Sequence, residues 1–178
     1  MRKHLCLYFL LLLGVSLSAV GRTKDPIRVA CIGNSITYGY GLQDREREAY
    51  PVLIQQFLGA KYQVENFGKS GATLLARGHR PYFQQEEYHR ALAFRPDIAV
   101  IHLGVNDTDP RNWPNYRDEF IPDYRHLIDT LRSISPRVRI LIARTTPIGV
   151  EHPRFESGTR DWQLQIQQAI EQVAETAG

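Results

Sequence analysis

The chain has 178 residues and a formal net charge of +3, with 43% hydrophobic and 23% charged residues. That is the composition of one ordinary globular domain, neither disordered nor low in complexity. The small charge excess is no electrostatic footprint for nucleic acid, and the two cysteines, Cys6 and Cys31, are too few for a disulfide-stapled module.

Residues 1–20 form a segment of their own. Arg2 and Lys3 make a basic start, 5–13 is a short apolar run, and Ser16, Ser18 and Ala19 are small residues suited to cleavage. This pattern predicts a secretory signal peptide, cut near Ala19 or Gly21. The apolar run is too short to span a bilayer comfortably. Export to the periplasm or medium is therefore expected, with no stable membrane insertion after cleavage. Removing Arg2 and Lys3 lowers the net charge to +1. Cys6 leaves with this segment, and Cys31 is expected as a small core residue. Residues 21–178 are expected to form the single domain.

Along that domain strand-like and helix-like runs alternate. A strand is predicted at 27–32. A helix follows at 50–58, with Pro51 in its first turn and Leu53, Ile54, Phe57 and Leu58 on one face. The second strand is expected at 62–67. A short helix at 86–94 ends before Pro96. The third strand, 97–103, is nearly all apolar, as for a strand buried on both faces. A loop rich in Asp, Pro and Asn covers 107–115. A helix runs from there to about Ser133, with Pro122 in its first turn and Tyr124, Leu127, Ile128 and Leu131 at helical spacing. The fourth strand is placed at 138–143. The last helix, 161–174, aligns Trp162, Ile166, Ala169, Ile170 and Val173. This alternation predicts βαβ units and a parallel sheet covered by helices, an α/β doubly wound three-layer sandwich. The chain stops at Gly178, directly after a helix, where such a fold would continue with a strand. A fold cut short at the C-terminus is the expectation.

Three strings carry chemistry. Ile32-Gly33-Asn34-Ser35 puts a serine just past the first strand, where open α/β sheets gather their ligands. A helix-capping role is the plain alternative. Asn66-Phe67-Gly68-Lys69-Ser70-Gly71-Ala72-Thr73 follows the second strand, and its glycines are otherwise turn residues. Gly104-Val105-Asn106-Asp107 follows the third, and Asn106 is otherwise an Asx-turn residue.

Each string alone is weak, but the three in this order resemble the SGNH (GDSL-type) hydrolases, from Ile27 onward. The resemblance implies a flavodoxin-like parallel sheet and a serine esterase. Ser35 would be the nucleophile, and the Ser35 and Gly71 N–H groups with the Asn106 amide would form the oxyanion hole. Such donors meet the charge that builds on the carbonyl oxygen during acyl transfer. Asn34 stands where the family more often has Asp. Its effect is expected on local hydrogen bonding, beside a place on the substrate side.

The family's last block, an Asp-x-x-His near the C-terminus, is absent, since none follows the fourth strand. His102 is expected to be structural and His126 solvated, while His79 and His89 sit in or beside a loop. His152 follows the fourth strand, on the sheet edge shared with Ser35. It is the best internal candidate for a base, although its string resembles a substrate-side loop of the carbohydrate or sialate O-acetylesterase branch. The preferred expectation puts the Asp–His pair in residues beyond this chain.

The resemblance therefore implies an ester hydrolase acting on a small-molecule or glycan ester, without metal or organic cofactor. Acetyl groups on glycans are the first candidates, and lysophospholipid-type esters are an alternative. Tyr82, Phe83, Trp113 and Tyr116 suit a sugar surface, or plain loop packing. A non-catalytic glycan-binding domain that keeps the fold without the base is the second hypothesis. A nucleotide-binding reading fails, because Gly68-Lys69-Ser70 would need glycine where Gln63 stands.

Overall fold

The computed structural model describes residues 25–149 and 159–176. The proposed leader and His152 therefore lie outside the described residues. Four strands, β1 (Ile27–Gly33), β2 (Tyr62–Gly68), β3 (Ile98–His102) and β4 (Arg139–Ile142), form one sheet in the order β2-β1-β3-β4. All three pairings are parallel. Gly33 lies opposite Gly68 on one side and His102 on the other.

The order reverses at β1. The chain steps outward from β1 to β2, then crosses back past β1 to β3. Right-handed crossovers then place the connecting helices on opposite faces. The first crossover carries α1 (Ser35–Tyr38), α2 (Arg45–Glu48) and α3 (Tyr50–Leu58). The later ones carry α4 (Glu86–Phe94), α5 (Trp113–Tyr116) and α6 (Phe120–Ile134), and α7 (Thr159–Thr176) packs beside α6. The doubly wound α/β architecture expected from the sequence is present.

The main core lies on the α4, α6 and α7 face. Ala30, Ile32, Ala99 and Ile101 of the strands meet Leu127, Leu131, Ile166, Ile170 and Val173. Tyr124, Leu127, Ile128 and Leu131 are buried as their spacing implied, and Trp162 and Ala169 pack at the margin. Cys31 is buried on the opposite face, where burial pushes its thiol up to about 12. It is inert there.

Two details depart from the sequence pattern. Leu53 and Phe57 of α3 point outward, Phe57 with 89% of its surface exposed. The inward row instead includes Gln55, which accepts from Val64 N–H at 2.7 Å and donates to the Tyr62 carbonyl at 3.0 Å. Gln55 thus pairs with the backbone of β2, a role that hydrophobic periodicity does not show. The second departure is β3. Ile98 and Val100 are only half-buried, because the small α1–α3 layer covers β1 and β2 rather than β3.

Candidate active site

The crossing point of the sheet lies between the carboxyl ends of β1 and β3, where ligands of open α/β sheets bind. Ser35 is two residues past β1 and Asn106 four past β3. A sharp turn delivers Ser35. Asn34 caps α1 by accepting the Ile36 N–H at 3.0 Å, and its Nδ2 donates to the His102 carbonyl at 3.3 Å. Asn34 is wholly buried. It links the ends of β1 and β3 and is closed off from solvent, so it shapes the turn instead of facing a substrate. Ser35 itself is half-buried, and its side chain makes no hydrogen bond among the described residues.

The loop after β2 approaches from the other side. Lys69 N–H returns to the Gly33 carbonyl at 2.9 Å, and Ala72 N–H closes a turn on the Lys69 carbonyl at 3.0 Å. Gly71 occupies the third position of that turn with φ +79°, as a type II turn requires. The N–H of Gly71, like that of Ser35, carries no backbone hydrogen bond among the described residues. Both donors remain available.

Asn106 joins the two loops. It lies in a 3-10 turn, Val105–Thr108, and its Nδ2 donates to the Ala72 carbonyl at 2.8 Å. One amide hydrogen is thereby spent on the residue after Gly71, and the other is left for a ligand. The structure thus brings Ser35, Gly71 and Asn106 to one edge of the sheet.

Two residues beneath them were not singled out by the sequence reading. Asp107 is completely buried and accepts from the N–H groups of Leu74 and Leu75 at 3.0 and 2.8 Å. Desolvation by burial raises its carboxyl to about 7, against the lowering effect of those donors. Asn112, also buried, donates to the Asn106 carbonyl at 2.9 Å and accepts the His79 N–H at 2.9 Å. Together they fasten the 72–79 segment to the Asn106 turn. The available signal was the density of Asp and Asn in 106–115, since short polar side chains bond to nearby backbone.

The histidines divide as follows. His102 ends β3, buried, with its charged form disfavoured by desolvation. His79 lies against Asn112, its Nδ1 3.0 Å from Nδ2. His89 and His126 are exposed, each with an edge or tilted ring contact. None of these four is hydrogen-bonded to Ser35. The proposed sugar-facing aromatics need correction. Trp113 and Tyr82 are buried, with Trp113 Nε1 donating to Gln165 at 2.7 Å and the Tyr82 hydroxyl to the Phe67 carbonyl at 2.7 Å. Their rings fill the core, and their polar tips are satisfied there.

Among the described residues, no group of three or more His, Cys, Asp and Glu is placed to hold a metal ion. No helix among them is long and apolar enough to cross a membrane.

The GDSL-like lipase/acylhydrolase family matches residues 31–178. An acetylxylan esterase of Xylanibacter ruminicola is 49% identical over 109 residues, 61% of this chain. The chain spans only 22% of that relative's length. Among solved structures, a lipolytic protein of the G-D-S-L family from Desulfitobacterium hafniense DCB-2 is similar with a TM-score of 0.60 at 18% identity, over 85% of this chain and 73% of that one. The acetyl xylan esterase AlAXEase is similar with a TM-score of 0.55 at 18% identity, over 84% and 73%. At such identities these structures speak to the fold alone.

Proposed function

The chain belongs to the GDSL-like lipase/acylhydrolase family, and on that basis we propose that it hydrolyses carboxylic esters, with O-acetyl groups on a glycan as the first substrate class. The 49% identity to an acetylxylan esterase supports an acetyl ester. The observation that carries the reading is the placement of Ser35, Gly71 and Asn106 on loops at one edge of the sheet, with Asn106 bonded to the Gly71 turn at 2.8 Å.

In this reading the Ser35 hydroxyl attacks the ester carbonyl. The Ser35 and Gly71 N–H groups and the free Asn106 amide hydrogen receive the oxyanion. The alcohol leaves, and water then releases the acyl group. A base must take the Ser35 proton. His152, outside the described residues, is the candidate within these 178 residues. Export to the periplasm or medium, through cleavage of residues 1–20, is part of the proposal, since acetylated polysaccharides are met outside the cell.

The test is hydrolysis of p-nitrophenyl acetate and of acetylated xylan by the chain and its Ser35→Ala variant, with both shown folded by circular dichroism. Loss of acetate release in Ser35→Ala supports the reading. Equal release by both would sink it. His152→Ala then asks whether that histidine supplies the base.

A further inference from the structure

A cavity of about 270 Å³ opens at the outer edge of β2, at its carboxyl end. Both helical layers reach it: Tyr38 and Arg45 from the α1–α2 side, Glu87 and Arg90 from α4. Asn66 and Gly68 of β2 form its floor. The size, a little below the usual range of small-molecule sites, suits one ring-sized ligand.

The floor is fixed. Asn66 donates to the Thr37 carbonyl at 2.8 Å and accepts the Gly68 N–H at 2.9 Å. A Cβ on Gly68 would lie 2.2 Å from Tyr38 N, so only glycine lets α1 sit this close. The charged walls are less satisfied. Arg45 lies over the Tyr38 ring at 4.2 Å, and Arg90 is 5.7 Å from the Phe67 ring centre. These ring contacts hold the two guanidinium groups in place. Neither has an ion pair within 4 Å among the described residues. Glu87 Oε1 is bound by Lys69 at 3.0 Å, while its Oε2 is buried without a hydrogen-bond partner. Glu46 also borders the cavity, exposed.

We infer that this cavity binds a carboxylate-bearing sugar residue, a uronate, of the glycan whose ester is cleaved at Ser35. Two unpaired guanidinium groups are donors for a carboxylate, which arginine binds in fork geometry. A neutral sugar would leave them unused. Glu87, held by Lys69 at 3.0 Å, keeps one carboxylate on the α4 wall, so the two guanidinium groups are what an acidic ligand would meet. The cavity is also near enough. Gly68 stands opposite Gly33, two residues before Ser35. One strand spacing across and two residues along put Ser35 within about 10 Å of the floor. The loop that carries Gly71 begins at Lys69, the partner of Glu87. Ester and uronate would thus belong to adjoining parts of one chain.

The inference rests on the esterase reading for its glycan, and its test is independent of turnover. Methyl β-glucuronide, methyl β-xyloside and inorganic phosphate are titrated into the 178-residue chain, and amide shifts are followed by NMR. Binding of the glucuronide at least about tenfold tighter than the xyloside is expected, with shifts at Tyr38, Gly68 and Lys69. Arg45→Gln and Arg90→Gln should each weaken it about tenfold or more. Equal binding of glucuronide and xyloside, or unchanged affinity in both variants, overturns the inference. So does phosphate bound as tightly as glucuronide, since the guanidinium charges would then suffice without a sugar. Hydrolysis of p-nitrophenyl acetate, which carries no uronate, is measured separately. Its failure counts against the esterase reading, while the titration alone decides the cavity.

Discussion

The Asn106 amide donates to the Ala72 carbonyl at 2.8 Å, tying the loop after β3 to the loop after β2. Both loops lie beside the strand that carries Ser35. In the proposed esterase reading the Asn106 side chain has two tasks, to hold the Gly71 turn in place and to offer its remaining hydrogen to a developing negative charge. Asn106→Ala should lower kcat about 10²–10³-fold through the lost donor. Stability should fall by about 1 kcal/mol through the lost loop contact. Steady-state kinetics with p-nitrophenyl acetate and urea unfolding of the same preparation separate the two effects. A variant with unchanged kcat would remove Asn106 from the oxyanion hole.

Gly68 and Gly71 should respond differently to alanine. At Gly68 the new methyl would meet the backbone of Thr37 and Tyr38 at 2.2–2.7 Å, where nothing can yield cheaply. Gly68→Ala should cost at least about 3 kcal/mol. At Gly71 the nearest atoms are the end of the Arg80 side chain, at 3.3 Å, which can move aside. Only the φ of +79° is then unfavourable, at about 1–2 kcal/mol. Thermal unfolding of the two variants tests the order, and a less stable Gly71→Ala would contradict it.

Asp107 links the site to pH. Burial raises its carboxyl from 3.8 to about 7, so the folded chain holds this proton more tightly than the unfolded one. The sign follows: the contribution is fully present below pH 3.8 and is lost as pH rises through about 7. Buried His102, with a lowered value, acts in the opposite direction. The difference between the wild type and Asp107→Asn removes that background. Urea midpoints should show the wild type losing stability relative to the variant between pH 4 and 7. A constant difference across that range would show that Asp107 does not titrate there.

Two glutamines one helical turn apart on α7 pair with the loop after β4. Gln167 accepts the Thr145 N–H at 3.2 Å and donates to the Thr145 carbonyl at 2.8 Å. Gln163 donates to the Thr146 carbonyl at 2.6 Å. Gln167→Ala strands both backbone groups of buried Thr145 and should cost about 1–3 kcal/mol. The loop leads toward His152. Amide exchange at Thr145 should therefore accelerate in Gln167→Ala, and unaltered exchange would show that another contact holds this loop.

Much of the fold was legible in the sequence. The helices at Tyr50–Leu58 and Glu86–Phe94 coincide with their predicted ranges, because Pro51 marks one start and the residues before Pro96 mark the other end. The order of the three strings, each past a strand, was also enough to put Ser35, Gly71 and Asn106 on loops at one edge of the sheet. Parallel strands bring all their carboxyl ends to one edge whatever the loops between them do.

The tertiary structure decided what local pattern cannot contain. Phe57 faces water while Gln55 faces β2, because Gln55 satisfies backbone groups that an apolar side chain would leave unpaired. Trp113 and Tyr82 are core residues because their polar tips find partners 52 and 15 residues away. Asp107, Asn112 and the two glutamines of α7 act through hydrogen bonds to backbone distant in sequence. The partners of such bonds are set by how the elements pack, so no spacing along the chain encodes them. Hydrophobic period and turn chemistry are local, and by themselves they determined the layers, the order of the elements and the edge on which the chemistry sits.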